Sequence, residues 1–277
     1  ATDVTAETQG NSSAAIRSDR GGGDVNVTGG YYTTAGTGSP AIYSTADISV
    51  QGAYLQSSAS QGVVVEGKNS VALTDCQLIA SNTTKNSDKS DYYQAVMIYQ
   101  SMSGDADSGP SSFSMDGGTL TNENGDVFFV NNTSCRIDLT DAAITNDDAS
   151  GVFLRAAAAG WGTQGSNGGT FTLNASSQAI DGDMLVDDVS ALNLYLQDGS
   201  SFSGAVNPSG QEGDVYVELD ANSTWTLTGD SYVTSLTCVQ GSIDLNGHAL
   251  YVNGVAYDGE SASAGEAIDM SASSQDA

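Results

Sequence analysis

The residues best suited to contact a ligand cluster in three stretches that interrupt an otherwise regular chain. They lie near residues 80–94 (SNTTKNSDKSDYYQ), 100–112 (containing SGDADSG) and 156–169 (AAAAGWGTQGSNGG). Trp161 sits in the third stretch, and Tyr99 stands at the entrance to the second. Asn132 and Arg136 lie in a short connection between them. An indole and a phenol can stack on a sugar ring, while an amide and a guanidinium can hydrogen-bond its hydroxyls. Trp161, Tyr99, Asn132 and Arg136 are therefore the first candidate ligand contacts, and the paired Tyr92 and Tyr93 of the first stretch are the second. The competing reading for each aromatic is an anchor that holds its loop to the scaffold. Asp105 and Asp107 offer hard oxygen ligands at alternate positions, which suits calcium, but the rest of an EF-hand loop is missing. Asp147–Asp148 and Asp187–Asp188 read as solvated turns.

Acid–base catalysis finds little to work with. His248 is the single histidine and lies far from the interruptions. Cys76, Cys135 and Cys238 are odd in number, lack metal-type spacing and border apolar stretches, so buried free thiols are expected. Nucleotide loops, Ser–His–Asp sets and zinc motifs cannot be assembled. No catalytic residue is assigned, and the balance falls against an enzyme.

The elements that position these residues follow from a repeat. Apolar–x–apolar triplets begin at Val25, Ile48, Val71, Phe113, Ile137, Phe171, Leu192 and Val215, mostly about 23 residues apart. Seven residues after the unit start stand Tyr32, Leu55, Leu78, Leu120 and Ile144. Four after it stand Gly29, Gly52, Asp75, Gly117 and Asp141, residue types that tolerate a left-handed bend. Seventeen after it stand Ile42, Val65, Val130 and Leu154. Each unit thus predicts short strands alternating in and out, separated by tight corners. One unit cannot bury its apolar face alone, but stacked units bury it as ladders. The expected fold is all-β, a right-handed parallel β-helix of about nine coils. It spans residues 1–258 with an incomplete first coil, and 259–277 form a flexible acidic, Ser-rich tail. A β-sandwich would instead call for hairpin turns and even strand spacing.

The repeat geometry resembles that of pectate-lyase-like β-helices, and in character that of bacterial β-helical surface proteins such as autotransporter passengers. The segment SAAIRSDRGGG around Ile16 matches SPAIYSTADI around Ile42, and IDLNGHALYVNG from Ile243 looks like the closing strands of such proteins. The resemblance implies a secreted or cell-surface module, part of a larger surface protein, that adheres to glycans or to host or matrix proteins. It also brings in polysaccharide lyases and glycoside hydrolases, and a passive spacer, as alternatives. The His-Gly and Arg-x-Lys elements of the pectin hydrolases of this fold do not occur in the chain.

Charge narrows the partners. The chain carries 34 acidic and 7 basic residues, a formal −27, which repels nucleic acid and anionic membranes. Neutral glycans, cations and basic partners remain. There is no apolar run long enough to span a bilayer. No cofactor is expected beyond the calcium that Asp105 and Asp107 could hold.

Overall fold

The computed structural model describes residues 1–20, 22–85, 89 and 91–270. Among them the fold is all-β, without an α-helix, and strands stack in parallel over long distances. From Thr5 to Asn146 each strand pairs with the third one before it, the third one after it, or both, so every circuit there lays one strand in each of three sheets, while nearer the C-terminus the spacing becomes irregular. This is the arrangement of a β-solenoid.

Sheet 1 begins Thr5–Thr8, Tyr31–Thr34, Tyr54–Ser57 and ends at Ala143–Asn146. Sheet 2 runs Ile16–Arg17, Ile42–Ser44, Val63–Glu66, Gln94–Tyr99, Asp126–Asn131, Val152–Ala156 and Asp183–Val186. Sheet 3 is the longest, from Asp24–Thr28 through Thr133–Thr140 and Gly169–Ser176 to Ser235–Cys238. Beyond residue 178, short strands from Ala179–Asp181 to Ile243–Asp244 take over after sheet 1 as a separate sheet.

The expected ladders recur with defined corrections. Tyr32, Leu55, Leu78, Leu120 and Ile144 pair in sequence across sheet 1. In sheet 3, Val25, Ile48, Val71, Phe113 and Ile137 pair likewise. The next step slips by two residues: Ile137 meets Leu173, and Phe171 meets Cys135. In sheet 2, Ile42 meets Val63 rather than Val65, and Leu154 meets Phe128 rather than Val130. A slip of two keeps every side chain on its own face, so apolar patterning alone does not resolve it.

The corner positions carry the conformation their residue types suggest. Gly29, Gly52, Asp75, Gly117 and Asp141 all have positive φ, between 46° and 65°. There the N–H of Gly29 donates to the Gln51 carbonyl at 2.8 Å, and that of Gly52 donates to Thr74 at 2.9 Å, so the bends are hydrogen-bonded from circuit to circuit. Cys76, Cys135 and Cys238 are free and buried, and burial pushes the Cys76 and Cys135 thiols up.

Strict alternation fails in one sheet. Gly169–Ser176 in sheet 3 alternates buried and half-buried throughout. In sheet 2, by contrast, all six residues of Gln94–Tyr99 and all six of Asp126–Asn131 are buried. The middle of the sheet, from Val63–Glu66 to Asp126–Asn131, is therefore covered on both faces, and its runs AVMI and VFFV are the continuous apolar type that this demands.

The segment expected as a tail from residue 259 contains Ser263–Ala264, which pairs antiparallel with Thr237 and Cys238. Further on, the Asn193 amide exchanges two hydrogen bonds of 3.0 Å with the Ile268 backbone. Residues 271–277 lie outside the described residues.

Candidate functional site

The outer face of sheet 2 holds a second apolar cluster, separate from the core inside the circuits. Val64, Met97, Tyr99, Phe129 and Ala157 form it, with Tyr43, Tyr92, Ala159 and Trp161 packed against them. Tyr43, Val64, Met97 and Phe129 are register partners on consecutive strands, which makes them one row. The insertion near 156–169 meets Lys89 of the first insertion: the Gly160 N–H donates to the Lys89 carbonyl at 3.0 Å.

Buried amides hold the third insertion in place. Asn131 donates to the Ala157 and Asn167 carbonyls, both at 2.8 Å. Asn167 in turn donates to the carbonyls of Ala159 and Trp161, both at 2.7 Å. The glycines flanking Trp161 are needed for close approach. A Cβ on Gly160 would lie 2.6 Å from the Lys89 backbone, and one on Gly162, where φ is 80°, would lie 2.2 Å from Asn132 Oδ1. The Trp161 ring then meets Tyr99 edge-on, with centroids 5.1 Å apart and planes at 66°.

Where the cover ends, a small cleft of about 70 Å³ opens beside Trp161. Tyr43, Val64, Met97, Tyr99 and Trp161 line it, with Gln61, Thr84 and Lys85 supplying polar groups. Next to it lies Glu66, a fully buried carboxylate that is 1% exposed. It accepts hydrogen bonds from the hydroxyls of Tyr43 and Ser101 and, at 3.2 Å, from Tyr99. Burial pushes the Tyr43 and Tyr99 phenols up, and the neighbouring Glu66 adds to the shift of both.

Of the residues singled out from the sequence, Tyr99 and Trp161 come together in this cleft. Asn132 ties the second insertion to the third, since its side chain donates to the Gln100 carbonyl at 2.9 Å and its N–H to Asn167 at 3.0 Å. Arg136 projects from sheet 3, pairs with Asp138 at 2.8 Å and does not line the cleft. Tyr92 packs on Phe129 at 5.4 Å beneath the Arg155 guanidinium, 4.2 Å from its ring, which is the anchor geometry. Tyr93 carries the Lys85 ammonium 5.3 Å from its ring centre. Asp105 bonds Arg20 at 2.6 Å and Asp107 bonds Lys68 at 2.7 Å, so each acid engages a different base. No group of three or more His, Cys, Asp or Glu placed to hold a metal occurs among the described residues.

Sequence reasoning missed Tyr43, Glu66 and Met97. The available clue was the unbroken apolar run in three successive strands of sheet 2, which marks an outer face that something must cover.

No protein-family model matches this chain, and neither the curated proteins nor the solved structures contain a significant match.

Proposed function

We propose that the chain is a right-handed parallel β-helix of about nine coils, of the pectate-lyase-like type, acting as a non-catalytic extracellular module that recognises a glycan at the cleft beside Trp161. The observation that carries this reading is the meeting of three aromatic residues from separate segments, Tyr43, Tyr99 and Trp161, around one cleft rimmed by Gln61, Thr84 and Lys85. An aromatic lining with a few polar side chains at its rim can hold a small group, and at about 70 Å³ the cleft takes a substituent rather than a whole sugar ring. The amide chain from Asn131 through Asn167 fixes the Trp161 backbone, so ordering costs little on binding. Adhesion at a cell surface, as part of a larger bacterial protein, suits the acidic and repetitive character of the chain.

The test is incubation with a panel of plant, host and microbial polysaccharides, with and without calcium, measuring both retained protein and released oligosaccharide. Retention without product is expected. Trp161→Ala should weaken retention by about 2 kcal/mol, roughly thirtyfold, the scale of an aromatic hot spot. Trp225, fully buried inside the circuits, reports by its fluorescence that the fold persists in that variant. Product release, or retention indifferent to Trp161, overturns the reading.

A further inference from the structure

We propose that the group seated in this cleft is an organic ammonium, so that the glycan recognised is one bearing a quaternary ammonium substituent or a free amino sugar. This rests on the glycan-binding reading and names its ligand chemistry. The face of an aromatic ring attracts cations, and a desolvated site strengthens that attraction. Trp161 and Tyr99 are inclined to each other at 66° in an edge contact, which makes a corner rather than a flat platform. A flat platform suits the face of a neutral sugar ring, whereas a corner suits a compact, roughly spherical head.

Charge points the same way. Both phenols of the lining, Tyr43 and Tyr99, donate their hydroxyls to one buried carboxylate, that of Glu66. That arrangement sets a hydrogen-bond acceptor at the hydroxyl end of each ring, and donating to it raises the electron density of the rings. The Arg17 guanidinium, paired with Asp19 at 2.9 Å, lies 5.0 Å from the centre of Tyr43, which leaves Tyr99 and Trp161 as the rings for a ligand. Lys85 also reaches the lining, but its ammonium donates to the Asp91 carbonyl at 2.9 Å and sits over Tyr93 instead. The formal charge of −27 favours approach of a cationic ligand and disfavours an anionic one.

The experiment is a fluorescence titration of the intact chain at constant ionic strength. Of the two tryptophans, Trp225 is fully buried in the core, so ligand-dependent emission reports Trp161. Choline is compared with 3,3-dimethyl-1-butanol, its uncharged carbon isostere, and glucosamine with N-acetylglucosamine. A saturable change is expected for the charged member of at least one pair, with affinity about tenfold or more above its neutral counterpart. The pair that responds identifies the source, a quaternary substituent or an amino sugar. Glu66→Gln should reduce that preference, and Trp161→Phe should keep it while removing the emission change, so it is read there by calorimetry. Equal binding of a charged probe and its neutral isostere overturns the ammonium assignment. If no ammonium probe binds while polysaccharide is still retained through Trp161, the ammonium assignment fails and glycan binding stands. If nothing is retained either, both fail.

Discussion

Phe128 and Phe129 are adjacent in one strand and point to opposite faces, and both are fully buried. Phe128 lies in the core inside the circuits, against Phe113 at 5.6 Å and Phe153 at 5.4 Å. Phe129 lies on the outer face, in the cluster covered by the insertions, with Tyr92 against it. If outward residues of sheet 2 met solvent, as strict alternation requires, Phe129→Ala would cost under about 0.5 kcal/mol. With the cover in place it removes a buried aromatic and leaves a cavity, at a cost of about 3–5 kcal/mol. The lower end applies, because loops can collapse into the space more readily than stacked strands. Phe128→Ala should reach the upper end. Urea denaturation gives the two costs, and hydrogen exchange locates them. Phe129→Ala should speed exchange in the 157–168 loop while sheet 3 holds its protection. Phe128→Ala should loosen strands of neighbouring circuits together. A Phe129→Ala cost below 1 kcal/mol, or unchanged exchange in that loop, would refute two-sided burial of sheet 2 and the cleft built on it.

Two further outcomes follow from buried charge and buried phenols. Arg155 and Asp126 form a pair at 2.6 Å with side chains 20% and 5% exposed. Arg155→Met strands the carboxylate and should cost about 3 kcal/mol near neutral pH. Asp126 is pushed above the usual carboxylate range, by burial first and against the pull of Arg155. The cost should therefore shrink as pH falls and the carboxyl protonates, and urea midpoints at pH 7 and pH 4 that shift equally would contradict this. At the alkaline end, Tyr43 and Tyr99 are pushed up chiefly by burial, and Tyr216 is pushed up to about 12 by burial and its bond to Glu218. A raised folded value favours the neutral phenol in the fold. That contribution is complete below the unfolded value near pH 10 and is lost as pH rises through the folded values. Absorbance at 295 nm should show an early phase near pH 10 and a late phase that coincides with unfolding. A single phase near 10 with the fold intact would contradict the burial of these phenols.

Much of the scaffold is legible in the sequence because a solenoid repeats its demands. Large inward residues such as Leu55, Leu78 and Leu120 recur at one offset, and the left-handed corners draw on Gly and Asp. The ladder steps that escape notice involve small inward residues. Cys135 opposite Phe171, and Ser44 opposite Val65, do not register as members of an apolar series. Sheet 2 misleads for a different reason. Alternation assumes one wet face; an unbroken apolar run within a strand says that the outer face is covered, but not which distant segments cover it.

The same physics accounts for which site residues could be found. Trp161 is conspicuous because it departs from the repeat, Tyr99 because it ends the strand that leads into an insertion, and the two insertions at one corner imply a shared location. Tyr43 and Glu66 sit in regular strands, 23 residues apart, and are joined by a hydroxyl–carboxylate contact that only strand register creates. Arg136 shows the converse error. It is four residues from Asn132, yet the corner between them sends it into sheet 3, where its charge is met by Asp138. In a solenoid, residues one circuit apart are neighbours, while residues a few positions apart across a corner face different directions. A ligand site on this scaffold is therefore best sought by circuit-equivalent positions on the face whose outward residues are too apolar to be left in water, and that criterion selects Tyr43, Val64, Met97 and Phe129 before Arg136.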